Sequence, residues 1–183
     1  LALMAMVIAY LAPFTLPVRN ATAIELVVYY LVINIAVAVL STFRPWKVLN
    51  QIAFIMTVVV GGAYAFYQGK APERGMLAVL VLAHSTVFIW LSFRYSQLLA
   101  REDLTQFKLK PILDVALIFA APIVAFAFLY VMYFEETIWQ AGFSLGFAAL
   151  YAMLYQLLKR AHSVELIAQS YLSLTLVFLA LIP

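Results

Sequence analysis

The sequence contains no cysteine, only two histidines, and charged residues at 10% of its 183 positions. Without cysteine the chain can form neither a disulfide nor a thiolate ligand, so a cysteine-bound metal is excluded. His84 and His162 lie far apart in the sequence and lack the short spacing of paired metal ligands. The sequence therefore predicts neither a metal nor a cofactor.

Apolar residues dominate what is present. Hydrophobic residues make up 67% of the chain, whereas a soluble domain has roughly 45–50% apolar and about 25% charged residues. Such a chain would expose apolar side chains to water on almost every element, but in a bilayer those faces contact lipid. The net charge of +3 comes from basic residues scattered in ones and twos, which argues against nucleic acid as a partner. The expected partner is the lipid bilayer.

Apolar runs of transmembrane length follow one another along the chain. A membrane-spanning helix needs ~20 apolar residues. The predicted spans are Leu1–Pro17, Ile24–Phe43, Val48–Tyr67, Met76–Phe93, Ile112–Tyr133, Trp139–Leu158 and Leu166–Ile182. The predicted fold class is therefore all-α, a polytopic transmembrane bundle of about seven spans built from antiparallel helix hairpins with short loops. We expect residues 1–183 to form a single transmembrane region, truncated at both ends, of a longer protein whose remaining helices are its partners.

Lysine and arginine are distributed unevenly between the two sides of the predicted bundle. One side receives eight of them: Arg44, Lys47, Arg94, Arg101, Lys108, Lys110, Lys159 and Arg160. The other side receives three: Arg19, Lys70 and Arg74. Cytoplasmic loops carry the excess of positive charge. The connection Arg94–Pro111 is therefore predicted to be cytoplasmic, in what we expect to be a bacterial inner membrane.

Small residues at four-residue spacing predict close contacts between helices, because such contacts inside lipid depend on backbones approaching each other. The third span carries Ala53, Thr57, Gly61 and Ala65 on one line. The sixth carries Gly142 and Gly146, with a second line of Ser144, Ala148 and Ala152. In an alternative interpretation, Gly61–Gly62 and Pro122 interrupt their helices and line a substrate path, as in transporters.

Polar side chains within the predicted spans are the candidate functional residues, because such groups are costly in lipid. Asn34 is expected to form a hydrogen bond to another helix. A charged imidazole at His84 would face a large desolvation cost, so a neutral ring bonded to a neighbouring helix or to the Leu80 carbonyl is expected. Asp114 is placed in the first turn of the fifth span, where it favours the helix dipole. Gln169 belongs to a polar stripe with Glu165 and Ser173 that is expected to face protein or water.

Catalytic motifs are absent from the sequence: there is no glycine-rich phosphate loop, serine nucleophile elbow or His-Glu-x-x-His pattern. No catalytic residue is therefore assigned. The sequence favours a non-catalytic helical membrane module or an envelope-associated scaffold. Two alternatives stay open, namely a transporter or flippase-like unit that uses the mid-membrane polar residues, and a membrane-embedded enzyme acting on lipid-linked envelope substrates.

Several stretches of the sequence form a recognisable series: Tyr29–Asn34, Arg44–Asn50, Asp114 followed by Phe119–Phe126, and the closing Tyr171–Pro183. In this order they resemble a bacterial family of predicted multi-spanning membrane proteins, domain of unknown function twenty-three thirty-nine. The resemblance extends over most of the chain from about Leu11. It implies a long chain of helix hairpins and brings no catalytic residues.

Overall fold

In a computed structural model, the residues described are 2–15, 21–43, 47–101, 111–159 and 165–183. All of their regular structure is helical: α1 (Ala2–Thr15), α2 (Ala23–Phe43), α3 (Lys47–Met56), a π-helical turn (Thr57–Gly62), α4 (Ala63–Gln68), a 3-10 turn (Ala71–Glu73), α5 (Arg74–Arg101), α6 (Pro111–Met132), α7 (Thr137–Leu158) and α8 (Glu165–Ala180). The segments α3, π-helical turn and α4 are continuous, and we call them together the third rod. Counted in this way, the described residues form seven helical rods that match the predicted spans, and the all-α class is confirmed.

Length and hydropathy qualify four segments of the described chain as membrane spans: Ala23–Thr42, Val48–Gln68, Ala71–Arg94 and Thr137–Leu158. Met4–Thr15, Ala116–Met132 and Glu165–Ala180 are shorter apolar helices. Large apolar side chains point outward along these rods, as at Val32 and Ile138. Such faces are suited to lipid contact.

The fourth rod differs from its predicted end. The apolar run stops at Phe93, but α5 continues to Arg101, so the connection begins later than Arg94. The extension contains leucine, glutamine and arginine, which are favourable in helices. A helix can therefore leave the apolar layer and continue into water, and the hydropathy boundary underestimates its length.

The chain divides into two compact units, Leu1–Phe88 and Ile89–Pro183. In the first unit, α2 and the third rod form an antiparallel hairpin. Their contacts follow one register, because each step back along α2 is matched by an equal step forward along the third rod. Ser41 donates to Asn50 Oδ1 at 2.7 Å, and seven residues further along each helix Asn34 bonds to Thr57 at 2.8 Å. Four residues beyond these, Tyr30 packs on Gly61. A buried line along α2 thus faces the third rod.

The second unit has an aromatic centre where α6, α7 and α8 meet. Phe147 stacks on Phe178 with ring centroids 5.1 Å apart, and Phe126 lies edge-on to Phe178 at 5.5 Å. Tyr151 and Tyr171 continue this cluster at 5.6 Å. These rings set the orientation of α7 and α8. Aromatic side chains bury large areas, so the helix faces that carry them turn toward each other.

The turn between α6 and α7 is closed by a buried amide. Gln140 Nε2 donates to the carbonyls of Tyr133 at 3.0 Å and Phe134 at 2.7 Å. The last carbonyls of a helix have no partner within the helix itself. Gln140 therefore donates from the first turn of α7 to the two carbonyls that directly follow α6, of which that of Tyr133 also accepts from the Glu136 N–H at 3.0 Å.

Candidate functional site

Polar side chains from α1, from α2 and from the first residue of the π-helical turn meet inside the first unit, and we call Tyr10, Asn34 and Thr57 the polar cluster. Asn34 lies on the same buried face of α2 as Tyr30 and Ser41. This face arises because residues four and seven positions apart lie on one side of a helix. The cluster is therefore built by the helical spacing of α2.

The amide of Asn34 joins the three helices. Its Nδ2 donates to Thr57 Oγ1 at 2.8 Å, and its Oδ1 accepts from the Tyr10 hydroxyl. The Thr57 hydroxyl then donates to the Ala53 carbonyl at 2.8 Å. Asn34 thus makes the kind of cross-helix bond expected of it, on two sides at once. A bond of this kind inside a membrane contributes about 0.6 kcal/mol on average and up to ~1.7 kcal/mol.

The polar cluster consists of neutral hydrogen-bonding groups. An amide, a phenol and a threonine hydroxyl contain no ionised group at neutral pH. The Thr57 hydroxyl donates to a backbone carbonyl instead of a general base, so nothing in the cluster activates it as a nucleophile. Across the described part of the chain, no group of three histidine, aspartate or glutamate residues is arranged to hold a metal ion.

Tyr30 locks the hairpin above the polar cluster. Its hydroxyl donates to the Tyr10 carbonyl at 2.7 Å, and its ring lies edge-on to that of Tyr10 at 4.8 Å. Its other side covers Gly61, where an added Cβ would lie 2.8 Å from the Tyr30 ring. At position 61 any residue other than glycine would therefore force the Tyr30 ring or the backbone to shift. Sequence reasoning missed both tyrosines, although a tyrosine within a span needs a hydrogen-bond partner and can be identified by that need.

The remaining residues of the third-span line are placed unequally. Ala53 is fully buried, whereas Thr57 and Ala65 are half-buried. Gly61 and Gly62 do not interrupt the rod, because it continues through the π-helical turn into α4. Pro122 likewise lies inside an α6 that is helical on both sides of it. The chain thus stays helical at these positions, although the α-helix is replaced by the π-helical turn at Gly61 and Gly62.

His84 is buried in α5 and bonds to its own helix. Its Nδ1 lies 2.9 Å from the Leu80 carbonyl, one of the two partners expected from the sequence. A carbonyl can only accept, so this contact places the proton on Nδ1 and leaves Nε2 with a lone pair. Nε2 is buried and has no hydrogen-bond partner among the residues that the structure describes.

Gln169 and Asp114 complete the polar residues singled out from the sequence. Gln169 is exposed on α8, where its amide donates to Glu165 Oε1 at 3.3 Å. The hydroxyl of Ser173 donates to the Gln169 carbonyl at 2.9 Å. Asp114 lies in the first turn of α6, and its side chain falls outside the described part of the structure.

Among the residues that the structure describes, nothing packs against the glycine ladder of α7, and its predicted helix contact stays a prediction. Gly142 and Gly146 are exposed, and a Cβ added at either would meet nothing within 4 Å. The second line is the one that packs: Ser144 donates to the Leu181 carbonyl at 3.2 Å, and Ala148 is buried. The physical reason is the aromatic centre, because turning Phe147 inward rotates the glycines outward.

The arrangement as a whole defines a class of protein. Apolar rods of membrane-spanning length with outward-facing aliphatic side chains and internally bonded polar groups are those of a polytopic α-helical membrane protein. The chain belongs to the family described as predicted membrane protein (DUF2339), whose family model matches residues 1–182. No curated protein and no solved structure matches it.

Proposed function

We propose that this chain is a non-catalytic helical membrane module that acts as an envelope-associated scaffold. The observation that supports this is that each of these intramembrane polar residues is hydrogen-bonded to partners within its own unit. Asn34 bonds within the polar cluster, His84 bonds to its own helix, and Gln169 bonds to Glu165 on the exposed side of α8. A transport path or an active site requires such groups to converge.

The same proposal includes a location and partners. The eight-to-three distribution of basic residues favours a cytoplasmic position for the connection Arg94–Pro111, and we place the protein in a bacterial inner membrane. The exposed amide of Gln169 favours a protein neighbour on that face, because an amide is poorly accommodated by lipid. The remaining helices of a longer polypeptide are the neighbours that we propose.

Complementation of a deletion strain with the intact gene tests the scaffold proposal. If the polar residues serve packing, biological function and unfolding stability decrease together. Asn34→Leu removes both bonds of the amide and is expected to lower both, whereas His84→Gln keeps a donor for the Leu80 carbonyl and is expected to lower neither.

The control is Thr86→Val, which removes a hydroxyl that donates to its own helix at 2.8 Å on an exposed face. Its stability and function are expected to equal those of the wild type. A His84→Gln variant that is fully stable but inactive would contradict the scaffold proposal, because it would show that a titratable group performs the function.

A further inference from the structure

The third rod contains a π-helical turn at Thr57–Gly62, between the α-helical segments α3 and α4. The backbone on either side is ordinary right-handed helix, with φ −61° and ψ −42° at Met56 and φ −62° and ψ −45° at Ala63. The Ala63 N–H is shared between the carbonyls of Val59 and Val60. Turns of this kind are rare and are frequently found at functional sites.

Contacts with a single neighbouring segment bracket this turn. At its start Thr57 accepts from Asn34 at 2.8 Å, and within it Gly61 is covered by the Tyr30 ring. Just beyond it, the Tyr64 hydroxyl donates to the carbonyl of Ala21, next to the start of α2. Before the turn, Ser41 of α2 donates to Asn50 of α3 at 2.7 Å. Contacts with α2 and with Ala21, just before it, thus specify the phase of the rod before, within and after the π-helical turn.

We propose that the π-helical turn is a register switch in the third rod, held in its present state by its contacts with α2, of which the bond between Asn34 and Thr57 selects this state. Conversion of the turn to α-helix changes the phase between α3 and α4 by about one residue, which is ~100° of rotation and ~1.5 Å of rise. The bond from Tyr64 to Ala21 is then lost, and α4 presents a different face to its surroundings. The orientations of α3 and α4 are thereby coupled through Thr57, which lies between them and is bonded to Asn34. This inference stands independently of the scaffold proposal.

Single spin labels can report the switch directly, because the chain has no native cysteine. The full chain, reconstituted in phosphatidylethanolamine–phosphatidylglycerol vesicles, is labelled at Ala63, Phe66 or Tyr67, which are exposed on α4. A label at Ile55, exposed on α3 before the turn, serves as the reference. Oxygen accessibility by electron paramagnetic resonance is then compared between backgrounds.

Three backgrounds isolate the hydroxyl of Thr57. Thr57→Val removes the acceptor for Asn34 and keeps the side-chain shape, whereas Thr57→Ser retains a hydroxyl. Thr86→Val is the matched control, because Thr86 donates to its own helix at 2.8 Å, as Thr57 does. In Thr57→Val, accessibility at Ala63 relative to Ile55 is expected to fall at least twofold. The oxygen accessibility of the label at Phe66 or at Tyr67 should fall as well, and the direction in which α4 rotates determines which of the two it is. The serine and control backgrounds should keep the wild-type pattern.

An unchanged pattern in Thr57→Val would overturn the proposal, since the bond would then not hold the turn. A wild-type pattern with uninterrupted α-helical phase from Ile55 to Tyr67 would also overturn it. Thr57→Ala provides a second variant without a hydroxyl. If neither valine nor alanine yields a folded, inserted protein by circular dichroism, the switch is again refuted, because a two-state segment must remain folded when the contact that selects one state is lost.

Discussion

Replacing Gly61 by alanine tests the closest helix contact in the first unit. The added Cβ would lie 2.8 Å from Cδ2 and 3.1 Å from Cε2 of Tyr30. The ring has little freedom to move away, because Tyr30 is fully buried and its hydroxyl is bonded to the Tyr10 carbonyl at 2.7 Å. Either the ring or the backbone of the rod must therefore shift.

Two opposing terms determine the size of the effect. Overpacking a well-filled contact costs ~1–3 kcal/mol, while exchanging glycine for alanine in a helix contributes about 1 kcal/mol in favour of folding. The expected net change for Gly61→Ala is thus a loss of up to ~2 kcal/mol in the free energy of unfolding. At Gly75 and Gly146 a Cβ would meet nothing within 4 Å in the described part of the structure, so the overpacking cost does not apply there.

Unfolding in mixed detergent micelles, followed by circular dichroism, measures these differences. Gly75→Ala is the matched control within the first unit, and Gly146→Ala tests the exposed line of α7. The separation between Gly61→Ala and either control is expected to be ~1–3 kcal/mol, which is the overpacking term alone. Equal shifts for all three variants would show that Tyr30 does not cover Gly61, and the packing described for α2 and the third rod would be refuted.

Three further outcomes are expected. Cysteines introduced at Gln106 and Glu136 should react with an impermeant maleimide from opposite faces of the membrane, and labelling from one face would contradict the proposed orientation. His84→Gln should keep the wild-type unfolding midpoint at pH 6 and pH 8, because the ring acts as a neutral donor to Leu80; a difference that changes with pH would indicate a charged ring. Gln140→Leu should lower the free energy of unfolding by ~0.5–1.5 kcal/mol, since the Phe134 carbonyl loses the Gln140 donor while the Tyr133 carbonyl keeps the Glu136 N–H, whereas Gln156→Leu at an exposed site of the same helix should have little effect.

The spans could be predicted from the sequence because their signal is local. Apolar length alone predicts Ile24–Phe43 and Trp139–Leu158, and the helices lie at Ala23–Phe43 and Thr137–Leu158. The end of α5 could not be predicted in the same way. A hydropathy run marks the limit of the apolar layer, while a helix ends where its backbone bonding ends.

Helix faces were harder to predict than helix positions, because a face is chosen by competition between residues on different helices. Small-residue spacing shows that a close approach is possible at Gly142 and Gly146, but it does not show that a partner is there. In α7 the rings of Phe147 and Tyr151 select the buried face by packing on Phe178. The glycines are left outside, and a prediction from one helix at a time cannot include that competition.

The π-helical turn shows the same dependence on partners within a single rod. A line drawn at four-residue spacing assumes one helical period throughout and places Ala65 beside Gly61 against the neighbouring helix. In the structure Ala65 is half-buried, and it is the Tyr64 hydroxyl that reaches back to the Ala21 carbonyl. The change of period between Thr57 and Gly62 shifts the phase of every residue that follows. Asn34 and Tyr30 of α2 contact the turn itself. The helical period of the third rod therefore depends on its packing against α2, and it cannot be predicted from the sequence of the third rod alone.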